Sequence, residues 1–162
     1  MRFLNQEKQI KDLVILGRNL KFLRESQGKT LKEYAAYLGY DRNKLSNLEY
    51  GEMDIQWNTV IKMSKLIDFD VIALFSDSFI DDIEYFKENN TYQEKDFLTV
   101  FRLNSEKFQI RMGLTKTQLA SDRREYVSRL LNGKISNPRV SSLSMIAGKL
   151  GLKLSDLFKE EE

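Results

Sequence analysis

The feature that most constrains this chain is an internal repeat. Gly28-x-Thr30-x-x-Glu33-Tyr34-Ala35 returns, at an offset of 85, as Gly113-x-Thr115-x-x-Gln118-Leu119-Ala120. Leu45, Ser46, Leu48 and Gly51 return, at an offset of 82, as Val127, Ser128, Leu130 and Gly133. Val60, Met63, Ile67, Phe69, Leu74 and Phe75 return, at an offset of 83, as Leu143, Ile146, Leu150, Leu152, Leu157 and Phe158. A unit written twice is expected to fold twice around the same apolar pattern. The drop in offset removes three residues between the second and third elements of the second copy, at Ser121 and Asp122.

Apolar spacing makes each copy all-α. Ile10, Leu13, Leu16, Leu20 and Leu23 recur every three or four positions, which predicts a long helix from Gln6 to a stop at Gly28. Thr30 and Glu33 have capping-box spacing and open a short helix closed by Gly39. Asp41 caps a third, Arg42 to Tyr50, ended by Gly51. A fourth runs from Trp57 to Ile67 with Trp57 in the core, and Val71 to Phe75 forms a fifth. In the second copy the third element is clearest. Val127, Leu130 and Leu131 form an apolar stripe, Arg124, Glu125, Ser128 and Arg129 lie opposite, and Asn132, Gly133 and Pro138 stop the helix.

Charge divides the chain into three. Residues 1–75 hold 12 basic and 10 acidic side chains, residues 76–96 hold 2 and 7, and residues 97–162 hold 12 and 7. The expected organisation is a domain at 1–75, an acidic linker at 76–96 and a second domain at 97–162. Phe79, Ile83 and Phe86 make the linker partly helical and should dock it on a neighbouring domain. The basic second domain points to an anionic partner. With no Cys and no His, thiol and imidazole nucleophiles and the usual zinc sites are excluded, no cofactor is implied, and no enzyme is expected. The acids around Asp81 and Asp82 read as a solvated connector, not a metal cage. No apolar run approaches membrane-spanning length and the first residues lack a secretory pattern, so a cytoplasmic protein is expected.

The five-helix order, together with G-L-T-K-T-Q-L-A at Gly113–Ala120, R-E-Y-V-S-R-L-L-N-G-K at Arg124–Lys134 and S-L-S-M-I-A-G-K-L-G-L-K-L-S-D-L-F at Ser142–Phe158, resembles the Cro/C1-type helix-turn-helix family of phage repressors. Two tandem copies cover roughly residues 12–75 and 97–158. The resemblance implies a sequence-specific regulator of transcription, usually a repressor, that places its third helix in the major groove of double-stranded DNA. Carried over by position, Arg42, Asn43, Lys44 and Asn47 would read bases in the first copy. Arg123, Arg124, Glu125, Tyr126, Ser128 and Arg129 would form the corresponding face in the second. Arg suits guanine, Asn suits adenine and Glu accepts from cytosine. Lys32, Lys116, Asn132 and Lys134 would contact phosphates.

The chain departs from the family where Leu31 and Lys116 replace the frequent Gln that opens the second helix, and where Glu49, Glu52 and Asp54 make the first copy's loop acidic. A second register matches Gly113 to Gly39 and puts the recognition helix at Lys116–Ser121, leaving the L-L-N-G-K segment unused.

Two copies could act as an internal pseudo-dimer on two unlike half-sites one DNA turn apart. The linker at 76–96 reaches roughly 25 Å as a coil. The competing readings are an antitoxin or partner-binding adaptor in which only the second domain binds DNA, with protein contacts through the first domain or linker, a homodimer, and a nonspecific binder with salt-steep affinity.

Overall fold

The structure, a computed structural model, describes residues 9–120 and 123–160. Among them lie eleven α-helices and no strand: α1 (Lys11–Ser26), α2 (Leu31–Leu38), α3 (Arg42–Glu49), α4 (Trp57–Ile67), α5 (Val71–Leu74), α6 (Ile83–Asn89), α7 (Phe97–Arg111), α8 (Lys116–Ala120), α9 (Arg124–Leu131), α10 (Val140–Lys149) and α11 (Leu154–Leu157). Local chemistry sets the boundaries. Thr30 and Glu33 form the capping box of α2, Asp41 accepts from the Lys44 N–H at the start of α3, and Gly39 ends α2 in the left-handed region. α1 begins at Lys11 after Ile10. Gln6, the expected start of the first helix, lies outside the described residues, as do Ser121 and Asp122.

The apolar faces of both halves merge into one core. Leu16, Leu20, Leu45, Leu48, Met63 and Leu74 from one side join Phe101, Leu119, Leu130, Leu143, Ile146 and Leu157 from the other. Phe158 sits at the junction, its ring centroid 5.2 Å from Trp57, 6.1 Å from Phe75, 6.2 Å from Phe97 and 6.1 Å from Phe101. Trp57 is therefore a core residue, as its apolar spacing implies.

Backbone pairing at this junction is reciprocal. Gln56 and Arg139 form an antiparallel bridge. The Trp57 N–H donates to the Pro138 carbonyl at 2.8 Å, and the Val140 N–H donates to the Ile55 carbonyl at 2.8 Å. The Asn58 N–H donates to the Asn137 side chain at 2.8 Å, and the Ser141 N–H donates to the Asp54 carboxylate at 3.1 Å. At the repeat offset of 83, residues 54, 55, 56, 57 and 58 correspond to 137, 138, 139, 140 and 141. Each hydrogen bond is thus answered by its counterpart, the pattern an isologous two-fold contact requires. Phe75 and Phe158, also an offset of 83 apart, face each other across it.

Away from the axis the symmetry breaks. Asp12 on α1 accepts from the Ser144 hydroxyl of α10 and from the Leu154 N–H of α11. Its counterpart at an offset of 85 is the apolar Phe97. Burial pushes the Asp12 carboxyl above its usual range.

The 76–96 segment belongs to the packed body and is not a free tether. Phe79 and Phe86 are buried, with Phe79 edge-on to Phe22 at 6.4 Å and to Phe69 at 4.9 Å. Asn90 donates to Asp70, and Asp77 pairs with Lys153 across the halves. The expectation of a docked connector holds, but Phe79 lies in the turns before α6. A coil reach for this segment has no application, because the halves meet through their own core.

Candidate nucleic-acid interface

In the first half α3 presents one polar face. Arg42, Asn43, Lys44 and Asn47 are exposed, while Leu45, Ser46, Leu48 and Glu49 are buried beneath them. Lys32 on α2 is also exposed. α3 is seated on α1 by two devices. The Arg24 guanidinium donates to both carboxylate oxygens of Glu49, at 2.8 and 3.0 Å. Gly17 lets the helices approach so closely that a Cβ there would stand 2.1 Å from the Leu48 carbonyl oxygen and 2.7 Å from that of Glu49. A pair this specific fixes orientation more than it adds stability.

These contacts also correct the charge of the neighbouring loop. Glu49 turns inward to Arg24, and Asp54 accepts from Ile55 and Ser141. Of the three acids read there from sequence, Glu52 alone is exposed. The barrier to a phosphate approaching this loop is correspondingly lower.

In the second half α9 exposes Arg124, Glu125 and Arg129, with Ser128 and Tyr126 half-buried. Arg123 precedes α9, lies over the Tyr126 ring at 4.4 Å and donates to the Ser142 hydroxyl at 3.3 Å. Arg123 thus bridges the Tyr126 ring and α10. Arg124, Glu125, Ser128, Arg129 and Lys116 rim a groove of about 370 Å³ floored by Val127 and Leu131. Asn132 and Lys134 are exposed just past the helix. Thr115 and Gln118 make reciprocal hydrogen bonds at 3.0 and 2.8 Å, matching those of Thr30 and Glu33.

The seat of α9 differs from that of α3. At the positions of Gly17, Arg24 and Glu49 stand Arg102, Gln109 and Leu131. Gln109 keeps one contact of Arg24, donating to the Leu114 carbonyl at 3.2 Å as Arg24 donates to that of Lys29 at 3.0 Å. Gly17 and Arg24 were the residues missed from sequence. The readable signal was a glycine inside a strong helical pattern, which marks close backbone approach.

Among the described residues no group of acidic side chains is arranged to hold a metal, and no helix is long and apolar enough to cross a membrane. Residues 20–73 match a family model described as helix-turn-helix. That segment takes in the second half of α1 and runs through α2, α3 and α4 into α5. The match falls on the first half, although the motif letters are clearest in the second. No curated protein and no solved structure matches the chain.

Proposed function

We propose that this chain is a sequence-specific double-stranded DNA-binding transcription regulator, acting as a repressor in the cytoplasm, and that it carries both halves of a pseudo-dimer in one polypeptide. The observation that carries the reading is the reciprocal pairing of residues 54–58 with 137–141. It joins the α3 and α9 units as one body while their polar faces stay exposed. In such an arrangement the second recognition helix meets its half-site without a separate association step, at a high effective concentration. The faces differ, Arg-Asn-Lys-Asn against Arg-Glu-Arg, so the operator is two unlike half-sites and not a palindrome. Lys32, Lys116, Asn132 and Lys134 supply phosphate contacts that set register. The chain needs no cofactor and performs no catalytic step. The match at residues 20–73 favours DNA contact by the first half over a reading in which residues 97–162 alone bind DNA.

Footprinting of N43A/N47A and R124A/R129A variants tests this. Each pair should remove protection from one half-site and weaken the other. Loss confined to a single common site would refute the two-headed reading.

A further inference from the structure

The internal repeat allows the surroundings of α7 to be judged against those of α1. Around the start of α1 the structure is closed. Gly17 brings α1 onto the backbone of α3, and Asp12 accepts from the Ser144 hydroxyl. At offsets of 85, 85 and 83 the residues in those places are Arg102 for Gly17, Phe97 for Asp12 and Ile61 for Ser144. Here the structure is open: α4, the start of α7 and the loop after α9 wall a cleft of about 450 Å³, with both halves contributing.

Arg102 lines this cleft from α7. A Cβ on Gly133 would stand 3.7 Å from its Cζ, so the guanidinium faces the loop that carries Asn132 and Lys134. Its Nη2 donates to the Thr99 hydroxyl at 2.9 Å, and among the described residues no carboxylate pairs with it. Arg24 of the first half, by contrast, is held by both oxygens of Glu49. Asp96, the acid on the cleft's described wall, accepts from the Thr99 N–H at 3.1 Å and from its hydroxyl at 2.8 Å, and feels the Arg102 charge without meeting it. Lys95 lines the same cleft and pairs at 3.1 Å with the exposed Glu160. A guanidinium has five N–H donors, and a half-buried one without a counter-ion is costly unless an anion reaches it.

We infer that this cleft takes one phosphate of the DNA backbone, gripped by the Arg102 guanidinium with Lys95 as the second cation. The cleft is continuous with the expected phosphate contacts, because Gly133 on its wall lies between Asn132 and Lys134, both exposed. The planar fork of an arginine matches two phosphate oxygens at once. Asn58 of the first half and Ser136 of the second are exposed and line the same cleft, so a phosphate there is held by both halves together. The first half has no equivalent contact, since Gly17 carries no side chain. The inference rests on the DNA-binding reading and adds to it a contact made on one side of the pseudo-two-fold axis only.

Binding of the full chain to the duplex it selects from a random pool, followed by fluorescence anisotropy over a range of salt concentrations, tests it, with circular dichroism confirming that each variant folds. R102Q should weaken binding roughly tenfold. It should also lower the slope of log affinity against log salt by about 0.9, the loss of one phosphate contact, with the selected sequence unchanged. R102K keeps the charge and should keep the slope. D96N retains a side chain able to cap α7 and removes the acid from the cleft wall, so it should tighten binding severalfold. An R102Q slope equal to that of wild type overturns the inference and leaves the DNA-binding reading standing, as does D96N binding no tighter than wild type. A wild-type chain that binds no duplex overturns both.

Discussion

Gly17→Ala should destabilise the chain, although helix propensity alone forecasts the reverse. A glycine inside a helix costs about 1 kcal/mol relative to alanine, so a reading of α1 by itself expects a gain of that size. The added Cβ would sit 2.1 Å from the Leu48 carbonyl oxygen, 2.7 Å from the Glu49 carbonyl oxygen and 2.9 Å from the Glu49 carbonyl carbon. All three are backbone atoms, which cannot swing aside as a side chain can. Relief requires α3 to move off α1, which stretches the Arg24–Glu49 pair. Overpacking of this kind costs roughly 1–3 kcal/mol, sometimes more, and the contact is severe enough to expect the upper end. Net of propensity, a loss of about 2 kcal/mol results.

Gly148→Ala in α10 is the matched control. Its Cβ would meet nothing within 4 Å, so it should gain a few tenths to about 1 kcal/mol. Urea titrations followed by circular dichroism give both numbers, provided the m-value is unchanged. Because α3 carries Arg42, Asn43, Lys44 and Asn47, Gly17→Ala should also weaken DNA binding beyond its effect on folding. Equal stabilisation by both substitutions would refute the packing argument.

Other expectations follow from the same contacts. Glu49→Ala leaves the Arg24 guanidinium without its partner and should cost about 3 kcal/mol, whereas R24Q/E49L, which copies Gln109 and Leu131, should cost much less in the same titration. Phe158→Ala should cost about 3–5 kcal/mol, and it should do so in a single transition seen alike by circular dichroism and by the fluorescence of Trp57, because both halves share one core. The Asp12 carboxyl is held up by burial, so the folded chain binds its proton more tightly than the unfolded chain. Its contribution therefore falls as pH rises from about 4, and Asp12→Asn should gain on wild type between urea melts at pH 4 and pH 7.

Local chemistry made much of this fold legible from sequence. Thr30 with Glu33, Asp41, Gly39 and Gly51 set helix ends with short-range hydrogen bonds and backbone preferences, and these were found where the letters put them. The exposed faces of α3 and α9 followed from helical spacing. Tertiary partners were not legible. Nothing local marks Ile55 and Trp57 as partners of Val140 and Pro138, since that pairing joins segments from opposite halves of the chain. Nor does the charge of Glu49 reveal that Arg24, two helices earlier, turns it inward. Phe79 and Phe86 showed that the connector would dock, but not that the halves would meet directly and leave it no role as a tether.

The central claim, two unlike reading heads fixed in one body, is tested most directly by selecting bound duplexes from a random DNA pool and then inserting half a helical turn of extra base pairs between the half-sites of the winner. The account predicts an asymmetric site whose centres lie one helical turn apart, about 34 Å, and loss of nearly all affinity on insertion, because half a turn puts one head on the wrong side of the duplex. A palindromic winner, or an asymmetric one that tolerates the insertion, would contradict it.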